Sequence, residues 1–560
     1  MSPITKPRSR TPFPCREIRP YPARGSSMQH DEPTLYRAST VLTPGPARDT
    51  AFAVAGGRFL ATGELSELRE RYAQARVVDL GNGTVIPGLN DAHAHFADTV
   101  QGRTELDVSP PNAPDRDALL RAVRARAARG SGWVIAAGYD DSLTGPISRD
   151  ELDATCAGSP VLIRHVSAHW AVMNTAALRA LDIAEDEPDP AGGSYGRDDT
   201  GRLTGHVYER ALLGRYVATA GERMRPIPAA TPDVLAQAYD ETLTQWNSLG
   251  ITSTCDAFVG PQQLGMHTAA HQRGERRLRV GTLIAAERYH DFRALGLGTG
   301  FGDEWLRVVG VKAFVDGAVG GRTCLVSEPF CGTHDHGMEF SSPGALRDLV
   351  HTVHRDGNRL AIHANGDIAI RRLLDAYEEA QRAYPSAVRH RIEHCSIVDP
   401  EIIARIAELG VIVTPFARYA NFYGSRLEQW YGRERTERMF AHRALLDAGV
   451  TVAASTDHPA SPLSPFAALQ SMVTRKGDDG VAVGPSQRIS VAEALSVYTV
   501  GSAAATGEAH LKGRITPGHL ADFVVLDRNP LDVPVDELHS LRVSRTYVGG
   551  VRVSADATVG

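Results

Sequence analysis

The chain has 560 residues and a mass of 60.3 kDa, with 60 basic residues against 66 acidic ones and a net charge of −6. That balance disfavours a nucleic-acid binder, and a hydrophobic fraction of 42% argues against disorder while supplying a full core. No run approaches the ~18 apolar residues that a membrane span needs. The expectation is a soluble protein, and the cysteine usage makes it a cytoplasmic one. Six cysteines (Cys15, Cys156, Cys255, Cys324, Cys331 and Cys395) form no CxxC pair, which argues for reduced thiols rather than a disulfide framework or thiolate metal site.

The first 27 residues carry six basic side chains against the single acid Glu17, so they hold +5 and the remainder −11. Pro3, Pro7, Pro12, Pro14, Pro20 and Pro22 break regular structure and no apolar segment follows, so a secretory signal is excluded. Residues 1–34 are expected to form a disordered leader, with a start at Met28 or a transit-type segment as further readings. From 35 to 88 the pattern is short strands and tight turns: Thr40–Thr43, then Ala51–Ala55 and Phe59–Thr62 around Gly56-Gly57, then Arg76–Leu80 and Thr84–Ile86. Residues 508–560 read alike, with Ala521–Leu526 and a pair Val543–Val548/Val551–Ser554 across Gly549-Gly550. Neither end is large enough to stand alone, so the two are expected to build one composite β-sandwich domain.

Between them lies an alternating pattern. Apolar strands are predicted at Ile251–Cys255, Arg279–Ala285, Arg307–Val315, Arg359–His363, Arg391–His394, Val411–Thr414 and Thr451–Ser455. Helices are predicted at Pro232–Leu249, Ala345–Asp356, Ile368–Ala383, Pro400–Leu409 and Arg435–Ala448, several followed by glycine at the position where helices end. With the strand before His93 this gives eight units, and an α/β fold of the TIM-like (β/α)8 barrel type over residues 89–507. Residues 96–250 are too many for one crossover and form a large insertion after barrel strand 1. It carries a helix (Arg116–Arg129), a strand (Val161–Arg164) and a hairpin (Gly193–Val207).

Barrel chemistry gathers at the C-terminal ends of the strands. Strand 1 ends in His93-Ala94-His95, and residues two apart in a strand face the same way, so the two imidazoles can chelate one divalent ion. With 21 histidines, chance alone supplies roughly 0.8 HxH pairs, and a second, His334/His336, sits in a loop fed by no strand. Context decides for the first. Strand 4 carries Lys312 in an apolar run, where a bare ammonium would be costly. Strand 5 ends in His363, strand 6 in His394 and strand 8 in Asp457. Each has an ordinary structural explanation by itself; together, at successive strand ends, they describe a metal centre.

At this point the chain resembles the amidohydrolase superfamily, and within it the family-3 branch of YtcJ-like proteins and N-substituted formamide deformylases. The matching segments are VIPGLNDAHAH (85–95), VKAFVDGAVGGRT (311–323), LAIHANGD (360–367), RIEHCSIV (391–398), ASTDHP (454–459) and GRITPGHLADFVVLD (513–527). The resemblance implies that His93, His95, His363, His394 and Asp457 are metal ligands, that Lys312 is carbamylated and bridges two ions, and that the protein self-associates into a homo-oligomer. Nitrogen-rich ligation with an oxygen donor favours zinc, one ion or two, although iron and manganese accept such sites. Relatives carry Ser-Asp-Trp-Pro where this chain has Thr456-Asp457-His458-Pro459, which makes His458 a candidate substrate contact. The segment 164–174 resembles the branch's substrate-lining stretch and offers His169 and Asn174. Tyr419 and Arg322 complete the substrate set, Arg322 as an anchor for an anionic or carbonyl group or as a structural ion pair.

The implied reaction is hydrolysis of a non-peptide C–N bond, in an amide or N-substituted formamide. Asp457 takes the proton from metal-activated water and passes it to the leaving group, and His363 and His394 help polarise the carbonyl. The same centre could serve a lactone or ester hydrolase or a deaminase. A non-catalytic scaffold of the same fold is the rival of another class, and the complete ligand set argues against it.

Overall fold

Apolar strands whose glycine-ended helices return them to the same edge can pair only in parallel, and the alternating region does so. The computed structural model describes residues 32–42, 49–130, 132–156, 158–167, 169–218 and 224–554. Seven parallel strands follow one another in chain order: Leu89–Ala94, Ile251–Val259, Arg279–Ala285, Leu306–Phe314, Leu360–Ala364, Arg391–His394 and Ile412–Pro415. They make a nearly closed TIM-like barrel.

The eighth stave differs from the expected strand Thr451–Ser455. It touches strand 7 through isolated bridges at Val452 and Ser455, and strand 1 through the bonds Ala92 N–H to Ala454 O and Asp457 N–H to His93 O, both 3.0 Å. The amide of Ala454 is instead turned outward to Val497 O (3.3 Å) and Ser502 Oγ (3.1 Å). That diversion denies the segment a regular ladder. The expected helix Arg435–Ala448 is likewise two helices, Arg433–Arg438 and His442–Asp447. Phe440 between them stands at φ 50° with its N–H bonded to Ser396 O, a conformation no helix contains.

The insertion holds a six-stranded sheet in the order Gly193–Arg197, Leu203–Glu209, Trp170–Met173, Val161–His165, Val134–Tyr139, Leu106–Asp107. Helix Arg116–Ala127 covers part of one face, capped by Asp115. Both chain ends contribute to an eight-stranded sheet, in which Thr84–Pro87 pairs antiparallel with Phe523–Leu526. Tyr36, Phe52, Phe59, Phe523 and Tyr547 pack in its core. Its first strand is Thr34–Val41 rather than Thr40–Thr43. Residues 1–31 of the expected leader lie outside the described residues. Among the described residues no helix is long and apolar enough to cross a membrane.

Candidate metal centre

His93 projects from the end of barrel strand 1 and is fully buried. Its Nδ1 donates to Glu393 Oε2, so its Nε2 is the free lone pair. Glu393 also takes two bonds of 2.7 Å from the buried Arg391 and one of 2.9 Å from Thr414 Oγ1. Burial alone would raise this carboxyl, but Arg391 and His93 hold it well below the usual range. It stays ionised behind the imidazole, fixing both ring orientation and tautomer. His95 is set the same way: Nδ1 donates to Ala257 O at 3.1 Å, and Nε2 lies 3.2 Å from Asp457 Oδ1. The same Oδ1 is 3.4 Å from His93 Nε2. Donor atoms of His93, His95 and Asp457 all lie within 4.8 Å of one another. Burial would raise the Asp457 carboxyl, yet His394, His93 and His95 hold it well below its ordinary value.

The other strand-end residues ring this triad. The His394 ring is 4.7 Å from those of both His93 and His363, and is stacked on Phe416 at 4.2 Å. His363 Nε2 donates to Gly317 O at 2.9 Å. Burial pushes both imidazoles well below the ordinary histidine value, leaving them neutral. Lys312 is 1% exposed, forms no ion pair among the described residues, and has its Nζ 4.5 Å from the Phe314 ring centre. Burial pushes its ammonium down to about 8. His93 Nε2 and His394 Nδ1 are buried with no hydrogen-bond partner. A buried nitrogen lone pair without a partner is costly; that of His93, beside His95 and the Asp457 carboxylate, fits a divalent cation shared by those three donors.

The model of the amidohydrolase family matches residues 76–554. The chain belongs to the amidohydrolase family. It is similar to the N-substituted formamide deformylase of Arthrobacter pascens, at 29% identity over 90% of this chain and 94% of that one. It is also similar to YtcJ of Bacillus subtilis (strain 168), at 27% identity over 91% and 97%. Among solved structures, an uncharacterised metal-dependent hydrolase from Pyrococcus furiosus superposes with a TM-score of 0.70 at 26% identity, covering 89% of this chain and all of the other.

In this amidohydrolase His95 and Asp457 of the triad line a narrow cavity. A larger cavity, about 940 Å3, lies in the insertion against Trp133, Tyr195 and Arg215 and contains none of these residues; donor geometry, not size, marks the candidate centre. His169 lines the narrow cavity. Glu209 clamps it twice, accepting from Nδ1 at 2.7 Å and donating its own N–H to the His169 carbonyl at 2.7 Å. Tyr419 stacks on Phe416 at 3.5 Å and reaches the Asp457 carboxylate with its hydroxyl, so it meets the site through Asp457.

Three candidates stand elsewhere. Asn174 is fully buried and caps helix Thr175–Ala180, accepting from Ala177 N–H and Val161 N–H and donating to Cys156 O and Ser159 O; every polar atom is occupied by backbone. Arg322 is exposed in a turn at φ 54°, away from the cavity. The His458 ring turns toward Trp246, with Nδ1 bonded to Ser461 O at 2.9 Å, while its carbonyl accepts from His95 N–H. Sequence reasoning missed Glu393, Glu209, Arg164 and Asp98, which hold or line the site. For Glu393 a signal existed, because Arg391 and Glu393 place opposite charges on one face of an otherwise apolar strand.

Proposed function

We propose that the protein is a metal-dependent hydrolase of a non-peptide C–N bond, with an amide or N-substituted formamide as substrate. The observation that carries this reading is the convergence of His93, His95 and Asp457, with buried unpartnered nitrogens, at the C-terminal mouth of the barrel. The similarity to a formamide deformylase over nearly the whole length supports the choice of bond.

His93, His95 and Asp457 would hold one divalent ion, which we take to be zinc, with His363, His394 and a carbamylated Lys312 able to hold a second. Such an ion supplies a Lewis acid that lowers the pKa of bound water toward ~7 and polarises the scissile carbonyl. Asp457, ionised in the resting site, accepts the proton of the attacking water and returns it to the departing nitrogen. Tyr419 steadies that carboxylate through its hydroxyl. His169, immobilised by Glu209, faces the cavity as the polar contact for the reacting group. Phe258, Phe314 and Leu213 line the remaining wall and exclude bulk water from it.

The test is metal analysis of the purified protein followed by assay on short N-alkylformamides, acyl amides, lactones and aminopurines. The expected result is one or two equivalents of zinc and release of formate or acid from the amides, abolished by chelation and restored by zinc. Protein that binds no divalent metal, or loaded protein that turns over lactones or aminopurines but no amide, overturns the reading.

A further inference from the structure

One corner of the narrow cavity, beside His95 of the triad, is polar. Arg164, on strand Val161–His165, lines it with a side chain only 5% exposed. A guanidinium has five N–H donors. Arg164 Nη2 donates to Glu105 Oε2 at 2.7 Å. Tyr216, on helix Arg210–Val217, lies with its ring 5.7 Å from the guanidinium carbon and its buried hydroxyl oxygen facing the guanidinium, so that its O–H proton is left without an acceptor. Asp98 also lines the cavity, with its side chain 27% exposed, a hydrogen bond from Gln263 and His95 Nδ1 at 3.9 Å. Phe258 and Leu213 add apolar wall to the same cavity.

Charge narrows what could bind. Glu105 already neutralises Arg164, and Asp98 adds a negative charge, so a carboxylate would meet two anions where only one cation waits. An ammonium would satisfy Asp98 but press against Arg164 and leave the Tyr216 hydroxyl unpaired. A neutral group that accepts on one side and donates on the other suits Arg164, Tyr216 and Asp98 together. We infer that this corner is a subsite for an uncharged carboxamide or urea group of the substrate, its oxygen taken by Arg164 and Tyr216 and its N–H by Asp98. The inference rests on the proposed function only for where the reacting end of the substrate sits.

Binding tests it independently of turnover. Alkyl hydroxamates, whose head group seeks the metal, are prepared with tails of two to six carbons ending in methyl, carboxamide, carboxylate or ammonium. Their Kd values are measured by calorimetry on the zinc-loaded protein. At one tail length or more the carboxamide should bind about tenfold tighter than the methyl and tighter than either charged tail. Tyr216→Phe, which removes only the hydroxyl, should cut that advantage about threefold. Arg164→Met made with Glu105→Leu, so that no buried charge is left unpaired, should reduce it below about twofold. Equal binding of carboxamide and methyl tails at every length, no binding at all, a tighter charged tail, or an advantage undiminished in Tyr216→Phe overturns the inference. Failure of the proposed reaction would appear instead as absent amide turnover with the binding preference intact.

Discussion

Asp457 occupies the left-handed region at φ 55°, where aspartate and asparagine are the most tolerated side chains after glycine. Asp457→Asn therefore keeps backbone, shape and an oxygen donor, and removes the negative charge and the ability to take a proton. Metal content should stay within about twofold while kcat falls by ~10²–10⁴; retained turnover would dismiss Asp457 as the base. Glu393 acts on the same centre from behind. Glu393→Gln leaves the donors His93, His95 and Asp457 in place but weakens the hold on the His93 tautomer. Metal affinity, read by competition with a chelator, should drop about 10–100-fold. The buried Arg391 also loses its counter-charge, so stability should fall by about 3 kcal/mol. Unchanged affinity would make Glu393 a partner of Arg391 alone. His93, His95, Lys312, His363, His394 and Asp457 were legible in the sequence because each interrupts or ends an apolar strand, and a strand fixes where its end points. Arg322 follows no strand end, and Asn174 and His458 stand one residue beyond theirs, where the chain has already turned. Nothing in their local sequence distinguishes a side chain that caps a helix, enters solvent or packs on Trp246 from one that faces substrate.

At the level of elements, seven staves of the barrel follow from periodicity and the eighth does not. Segment 451–457 has small side chains, two bridges to strand 7, and its Ala454 amide engaged outside the barrel wall. What fastens it to strand 1 is polar. Asp91 accepts from Thr456 Oγ1, from Thr456 N–H at 3.2 Å and from His93 N–H at 3.3 Å. Burial raises the Asp91 carboxyl to about 7, so each of these donors matters. The clasp joins the two segments that carry the triad. Thr456→Val removes one donor from a fully buried carboxyl and should cost about 1–3 kcal/mol in urea unfolding, with metal lost faster to a chelator. A loss of stability with the metal off-rate unchanged would confine the clasp to folding. Periodicity could not show this device, since Asp91 and Thr456 are 365 residues apart. For the same reason it missed the break at Phe440, where a bond to Ser396 overrides a helical sequence.

Over the whole molecule, buried histidines and the joint between barrel and end-built sheet govern stability. His442 is 1% exposed and donates from Nδ1 to Phe440 O, while its Nε2 has no partner. Burial, with Arg475 nearby, lowers it to about 3. Between about pH 3 and 6.5 the unfolded chain therefore binds a proton here that the folded chain refuses, and stability is lost as pH falls. Asp91 and Asp316, both raised to about 7, pull the other way, so the diagnostic quantity is a difference. Relative to His442→Gln, the unaltered chain should lose roughly 1 kcal/mol per pH unit below pH 6; parallel stability curves would refute the assignment.

The joint is tied by Arg279 at the start of barrel strand 3 and Asp522 just before the C-terminal strand of the end-built sheet. They form two bonds of 2.7 and 3.0 Å with both side chains nearly inaccessible. Asp522 also accepts from Gly549 N–H, its carbonyl accepts from Gly88 N–H, and Trp305 lies 4.1 Å from the Arg279 guanidinium. Ile86, Val524 and Leu526 of that sheet belong to the same apolar cluster as the barrel residues Val311, Ile362 and Ile392. With one face of the sheet packed into the barrel's core, the sheet and barrel should unfold together. Asp522→Asn removes the counter-charge from a buried guanidinium, and should lower stability by about 3–5 kcal/mol while leaving a single thermal transition, with metal released in that same step. An early transition of the sheet alone, leaving a metal-loaded barrel that melts at the original temperature, would mean that the chain ends fold as a unit of their own.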